Sequence, residues 1–169
     1  FWVCFFLFYY FFNTMWTYDG YIFHFDQKLA NNILPVTNGV SCNNKLIGKL
    51  HFSKKESIRY ENEREIFQII YHENIITHFC NISTNNCKIL ILERMEGDLM
   101  NLINEETMKE SLCISILLGI CSGIKHCHEN QIAHLDIKPQ NILYTKVKDK
   151  ITVKLTDFGD SVILNTDNM

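Results

Sequence analysis

His134-Leu135-Asp136-Ile137-Lys138-Pro139-Gln140-Asn141 and, after 15 intervening residues, Asp157-Phe158-Gly159 carry the densest chemistry in this chain. Together they supply two carboxylates, one amide and one ammonium on loops beside short strands. A carboxylate with an amide oxygen suits Mg²⁺, which takes hard oxygen ligands and keeps waters and phosphates in its shell. A second carboxylate can orient a hydroxyl and accept its proton. A nearby lysine can offset charge on a transferring phosphoryl group. Such an inventory suits phosphoryl transfer, which depends on positioning and charge neutralisation more than on covalent chemistry. Taken singly, Asp136 reads as a helix-exit cap and Asp157 as a turn former. The combined pattern favours chemistry.

Outward from these loops the chain alternates between strand and helix signals. Ile142 to Thr145 and Ile151 to Thr156 flank a Lys/Asp-rich turn, and Ile151, Val153 and Leu155 alternate with Thr152, Lys154 and Thr156 as in a strand. Upstream, Thr107-Met108-Lys109-Glu110 matches a capping box, in which hydroxyl and carboxylate satisfy the first N–H groups of a helix. The helix it predicts carries a stripe of Leu117, Ile120, Cys121, Ile124 and Cys127. Residues 75–82 and 87–92 are apolar runs around Ser83-Thr84-Asn85-Asn86, a hairpin pattern. Ser53-Lys54-Lys55-Glu56 is a second capping box, followed by Glu63, Ile66, Phe67 and Ile70 at helical spacing. Lys45 to Phe52 alternates as a strand, and residues 27–44, Asn-rich with Pro35 and Gly39, read as short strands and turns. This order is not the regular alternation of a doubly wound sheet. It predicts an α+β chain, strand-rich first and mainly helical afterwards.

Composition narrows the classes. A chain of 169 residues with 47% hydrophobic residues and a net charge of −3 is neither a disordered tail nor a basic nucleic-acid arm. The seven cysteines lack any C-x-x-C pair and fit a reducing, intracellular (cytoplasmic) setting. A zinc site from Cys121, His126, Cys127 and His128 is disfavoured, because neighbours in sequence cannot easily share one tetrahedral ion. The first 25 residues stand apart: they hold 14 of the 21 aromatic residues, and Phe1 to Tyr18 carries no charge. Membrane attachment through residues 1–18, a buried or disordered extension, and an artefact of the chain boundary all remain open readings of that segment.

The 134–141 and 157–159 motifs resemble those of the protein kinase family, over about residues 27 to 160. The resemblance implies a strand-rich N-lobe with one key helix (26–95) and the first part of a mainly helical C-lobe (96–169), behind an apolar extension (1–25). It implies that Asp136 is the catalytic base, that Lys138 contacts the γ-phosphate of ATP, and that Asn141 and Asp157 hold Mg²⁺. Lys138-Pro139 resembles the serine/threonine branch, so the implied reaction is transfer of the ATP γ-phosphate to Ser or Thr hydroxyls of a protein substrate. No nucleic-acid partner is implied. Leu46-Ile47-Gly48-Lys49 is similar to the family's V-A-I-K, which places Lys49 at the α- and β-phosphates. Glu63 is its expected ion-pair partner, with Glu65 as runner-up, counted back from His72-Glu73-Asn74-Ile75-Ile76. Ile89 to Leu99 resembles the hinge, with Leu92 as gatekeeper and the backbone of Glu93 and Met95 bonding adenine.

Three departures qualify the resemblance. Leu135 stands where the family usually has Arg, which often pairs with a phosphorylated activation loop. No G-x-G-x-x-G precedes Lys49, and its expected position, Gln27 to Asn32, contains no glycine. The pattern stops ten residues after Gly159, before any A-P-E. A non-transferring pseudokinase or binding module is therefore the alternative. Helices that normally cover the 117–127 stripe would be missing as well. Each large side chain left exposed forfeits roughly 1.5–3 kcal/mol, so the isolated chain is expected to be marginal or sticky.

Overall fold

The computed structural model describes residues 16–18, 21–23, 33–38, 41–51, 54–83, 88–105, 108–148 and 150–164. The chain forms two compact units, Phe1–Phe52 with Phe79–Arg94 and Ser53–His78 with Met95–Met169. It is an α+β protein with antiparallel sheets, as the sequence predicts.

The first unit is built on a sheet of β1 (Trp16–Tyr18), β2 (Tyr21–Phe23), β3 (Ile33–Asn38), β4 (Ser41–His51), β5 (His78–Ser83) and β6 (Lys88–Glu93). Their spatial order is β1-β2-β3-β4-β6-β5. β6 is a continuous apolar run, and Ile89, Leu90, Ile91 and Leu92 are all buried. That is the signature of a central strand covered on both faces. It pairs antiparallel with β4, setting Lys49 opposite Leu90, Ile47 opposite Leu92 and Leu46 opposite Glu93. Part of the aromatic segment joins this sheet through β1 and β2. Residues 1–15, the centre of the membrane-attachment reading, lie outside the described residues. So do residues 27–32, where a phosphate-binding loop was sought, and residues 84–87 of the hairpin turn.

The second unit begins with α1 (Lys54–Ile69), where the Ser53-Lys54-Lys55-Glu56 box predicts a helix. A short α2 (Leu99–Glu105) follows, and then the long α3 (Glu110–Glu129). β7 (Gly97–Asp98), β9 (Ile142–Val147) and β10 (Lys150–Leu155) form one small sheet. β8 (Ile132–Ala133) and β11 (Val162–Ile163) form another. The core gathers Ile66 and Ile70 of α1, Ile75, Leu102 of α2, Ile116 and Cys127 of α3, Val153 and Leu155 of β10, and Phe158.

Two expectations for α3 are corrected. Thr107 lies outside the described residues, and the helix opens at Glu110 rather than directly after Thr107. Lys109, in extended conformation and without a side-chain cap, is the N-cap residue. Its carbonyl accepts the N–H groups of Leu112 and Cys113. The buried stripe is Ile116, Gly123 and Cys127, with Ile120 and Ile124 packed alongside. Leu117 is 59% exposed and Cys121 is exposed, so two of the five expected stripe positions face outward, while Ile120, Ile124 and Cys127 belong to the stripe as expected. Glycines are the reason. A Cβ on Gly119 would lie 2.6 Å from Val153 Cγ2, and one on Gly123 would lie 2.8 Å from the Asn74 carbonyl oxygen. The helix therefore approaches β10 and the 72–76 loop through its smallest residues, which hydrophobic periodicity does not count. Burial pushes the Cys127 thiol up to about 11, which suits a small inert core residue.

Candidate active site

The 72–76 loop fixes the strand that leads to Asp157. Asn74 Nδ2 donates to the Val153 carbonyl at 2.9 Å, and Leu155 N–H donates to the Asn74 carbonyl at 2.9 Å. Ile76 N–H then donates back to the Leu155 carbonyl at 2.9 Å. His72 Nδ1 accepts the Asn74 N–H at 3.0 Å, tightening the loop from inside.

The loop after β8 is shaped by its own side chains. Leu135 adopts φ 62, a left-handed conformation costly for a branched residue without a local polar partner. Its side chain is 66% exposed, so burial does not repay that cost. What the conformation achieves is to carry the chain from buried His134 to Asp136. Asp136 Oδ2 accepts from Lys138 Nζ at 2.7 Å and from Asn141 Nδ2 at 2.8 Å. Asn141 Nδ2 also donates to the Asp136 carbonyl at 2.9 Å. These bonds leave Asp136 Oδ1 and Asn141 Oδ1 without a hydrogen bond among the described residues. The ammonium of Lys138 holds the Asp136 carboxyl below its ordinary range; slight burial opposes this and the Asn141 amide reinforces it. Asp136 is thus an ionised carboxylate with one oxygen anchored and the other available.

His134 ties this loop to the 157–159 turn. Its Nδ1 accepts the Asp136 N–H at 3.3 Å, so its Nε2 carries the proton and donates to the Thr156 carbonyl at 3.0 Å. The buried ring is neutral, because burial lowers its pKa more than the Thr156 carbonyl and the nearby carboxylates raise it. Thr156 N–H donates to the Asn141 carbonyl at 3.0 Å, and Ser161 Oγ donates to the His134 carbonyl at 2.9 Å. Asp157, at φ 63, stands at the left-handed entry to a single 3₁₀ turn, Phe158–Asp160.

One face of α1 grips that turn. Glu63 is fully buried and accepts the Phe158 N–H at 3.2 Å. Asn62 Nδ2 reaches the carbonyls of Ser161 at 2.7 Å, Gly159 at 3.1 Å and Phe158 at 3.3 Å. Arg59 Nη2 lies 3.1 and 3.2 Å from the two Asp157 oxygens, and Arg59 Nη1 pairs with Asp160. Phe158, beneath the turn, is fully buried between Phe67 and His134.

The second unit therefore brings Glu63, Asp136, Lys138, Asn141 and Asp157 into one hydrogen-bonded frame. Lys49 and Glu93 lie in the first unit on β4 and β6, with Leu92 buried beside Glu93. Met95 opens the later chain segment of the second unit, where its sulfur accepts from Thr145 Oγ1 at 3.6 Å. Sequence reasoning did not single out Arg59 and Asn62. Their signal was available: positions 59, 62 and 63 share one side of a helix.

Two loops make up the candidate site, one offering an anchored carboxylate and the other a carboxylate on a helix-braced turn. The protein kinase domain matches residues 30–169. This chain belongs to the protein kinase family. It is 30% identical over 123 residues to serine/threonine-protein kinase D2 of Homo sapiens, covering 71% of this chain and 14% of that protein. Calcium-dependent protein kinase 6 of Plasmodium berghei (strain Anka) is 33% identical over 123 residues, covering 72% of this chain and 8% of the relative. The alpha subunit of the inhibitor of nuclear factor kappa-B kinase of Danio rerio is 30% identical over 122 residues, or 66% of this chain and 16% of its own length. The chain thus spans a small part of the curated relatives it matches, and the family's fold accounts for the frame seen here.

The donor set fits a hard divalent cation. Asn141 is held by its nitrogen, which turns its amide oxygen outward, and Asp157 supplies a carboxylate. Asn141 and Asp157 are the side chains that would hold such a cation, which would supply charge neutralisation there.

Proposed function

We propose that this kinase domain transfers the γ-phosphate of ATP to Ser or Thr hydroxyls of a protein substrate. The observation that carries the reading is the Asp136 carboxylate, pinned through Oδ2 by Lys138 and Asn141 with Oδ1 left available. Oδ1 accepts the proton of the substrate hydroxyl as that oxygen bonds to the γ-phosphorus. The bridging bond from the γ-phosphorus to the β-phosphate oxygen breaks, and ADP leaves with the electron pair. Lys138 offsets charge on the moving phosphoryl group. Mg²⁺, when bound at Asn141 and Asp157, neutralises phosphate charge and fixes the nucleotide. Lys49 at the α- and β-phosphates and the Glu93 and Met95 backbone at adenine complete the assignment. The Ser/Thr preference rests on Lys138-Pro139 and on the relatives, which include a named serine/threonine-protein kinase.

The test is a transfer assay with radiolabelled ATP and mixed Ser/Thr and Tyr peptides. Wild type should label Ser/Thr peptides, and Asp136→Asn should lower the rate by about 10²–10³-fold with nucleotide binding retained. Binding without transfer in wild type would favour the alternative, a pseudokinase module, which the glycine-free stretch 27–32 supports.

A further inference from the structure

Arg59 makes a contact that the transfer reaction does not require. Its guanidinium straddles both oxygens of Asp157, the carboxylate read above as a metal ligand, at 3.1 and 3.2 Å. Its second nitrogen holds Asp160. The turn does not depend on this grip, since Asn62 binds three of its carbonyls and Glu63 binds its Phe158 N–H. Gly159 lets the arginine lie across the turn: a Cβ there would come 2.8 Å from Arg59 Nε and 3.1 Å from Arg59 Cβ. The side chains of Arg59, Asp157 and Asp160 are 28%, 25% and 48% exposed, so the arginine has room to move and Asp160 forms the outer partner. Burial disfavours the guanidinium charge, but the hydrogen bonds and charges of Asp160 and Asp157 outweigh it and raise the Arg59 pKa.

We propose that Arg59 is a built-in competitor for the divalent cation, holding Asp157 while no cation is bound and withdrawing onto Asp160 when one takes Asp157. A guanidinium and a divalent cation repel each other and draw on the same carboxylate lone pairs. Asp160 gives the displaced arginine a second partner, which lowers the cost of release. Arg59 then sets metal affinity by positioning Asp157, without touching substrate. This rests on the reading of Asp157 as a metal ligand.

The test follows Mn²⁺ alone, without nucleotide, binding to the full chain by water-proton relaxation. Arg59→Gln should bind Mn²⁺ about tenfold more tightly than wild type. Asp160→Asn should bind it about threefold more weakly, because Arg59 then keeps Asp157 as its one acidic partner. A purely structural role would not move these two variants in opposite directions. Arg59→Lys, which keeps the charge but loses the fork, should gain less than Arg59→Gln and carries the test if the glutamine variant fails to fold. Asp157→Asn separates the two ideas. If it loses Mn²⁺ while Arg59→Gln matches or falls below wild type, the competitor is overturned and the metal reading stands. If Asp157→Asn binds Mn²⁺ as wild type does, the metal reading falls and the competitor falls with it.

Discussion

The 134–141 loop and the 157–161 turn present their carboxylates in opposite ways. The loop is closed by partners two to five residues away: Lys138 and Asn141 on Asp136, and His134 on the Asp136 N–H. The turn is braced by α1 side chains between 95 and 101 residues distant. Local closure costs little chain entropy and survives local opening elsewhere, whereas a brace from a distant helix exists only while the whole unit is folded. Geometry at Asp136 is thus nearly self-contained, and geometry at Asp157 reports on the state of α1.

Substitutions can break that contrast. The largest effect belongs to the loop and is chemical. Asp136→Asn should cut transfer by about 10²–10³-fold while moving the urea midpoint by less than about 1 kcal/mol in stability. A collapse of stability alongside activity would erase the distinction. For the brace the order reverses. Glu63→Ala leaves the buried Phe158 N–H without its carboxylate and should cost about 1.5–3 kcal/mol, read from denaturant midpoints. Gly123→Ala forces α3 away from the Asn74 carbonyl and Leu155. Overpacking of about 1–3 kcal/mol should exceed the roughly 1 kcal/mol that alanine gains in helix propensity.

His134, which joins the two loops, sharpens the comparison through pH. Its folded pKa lies below the ordinary 6.5, so folding favours the neutral ring. The unfolded chain binds the extra proton first. The stabilisation is complete above pH 6.5 and is lost as pH falls from there toward the folded pKa. Urea titrations across that window should show the slope in wild type and lose it in His134→Asn. The smallest effect is expected at Asn62, where Asn62→Ala should cost about 1 kcal/mol and leave transfer per folded molecule nearly unchanged.

The same contrast explains what could be read before the structure. The loop's partners are neighbours in sequence, so Asp136, Lys138 and Asn141 announce themselves together. The partners of the turn are not. Glu63 was reachable by counting back from His72, but Arg59 and Asn62 went unnoticed because nothing nearby in sequence names their acceptors. α2 escaped for a related reason. It is short, and its one start signal is Asp98, whose Oδ1 accepts the Asn101 N–H at 2.9 Å. On α3 the expected Ile120, Ile124 and Cys127 do pack on the core, but Leu117 and Cys121 do not, since Gly119 and Gly123 form the surface of closest approach.

The pairing of β8 with β11 has one more consequence. Ile163 sits opposite Ile132, and Leu164 N–H donates to the Gln131 carbonyl at 2.7 Å. Everything from Gln131 to Leu164, both carboxylate-bearing loops included, is therefore a closed stitch of chain whose two threads emerge side by side. Sequence can be lengthened before Gln131 or after Leu164 without shifting what the stitch encloses. An insertion inside either carboxylate-bearing loop has no such freedom. Over evolutionary time, length variation should gather outside these two loops and leave each at a fixed count.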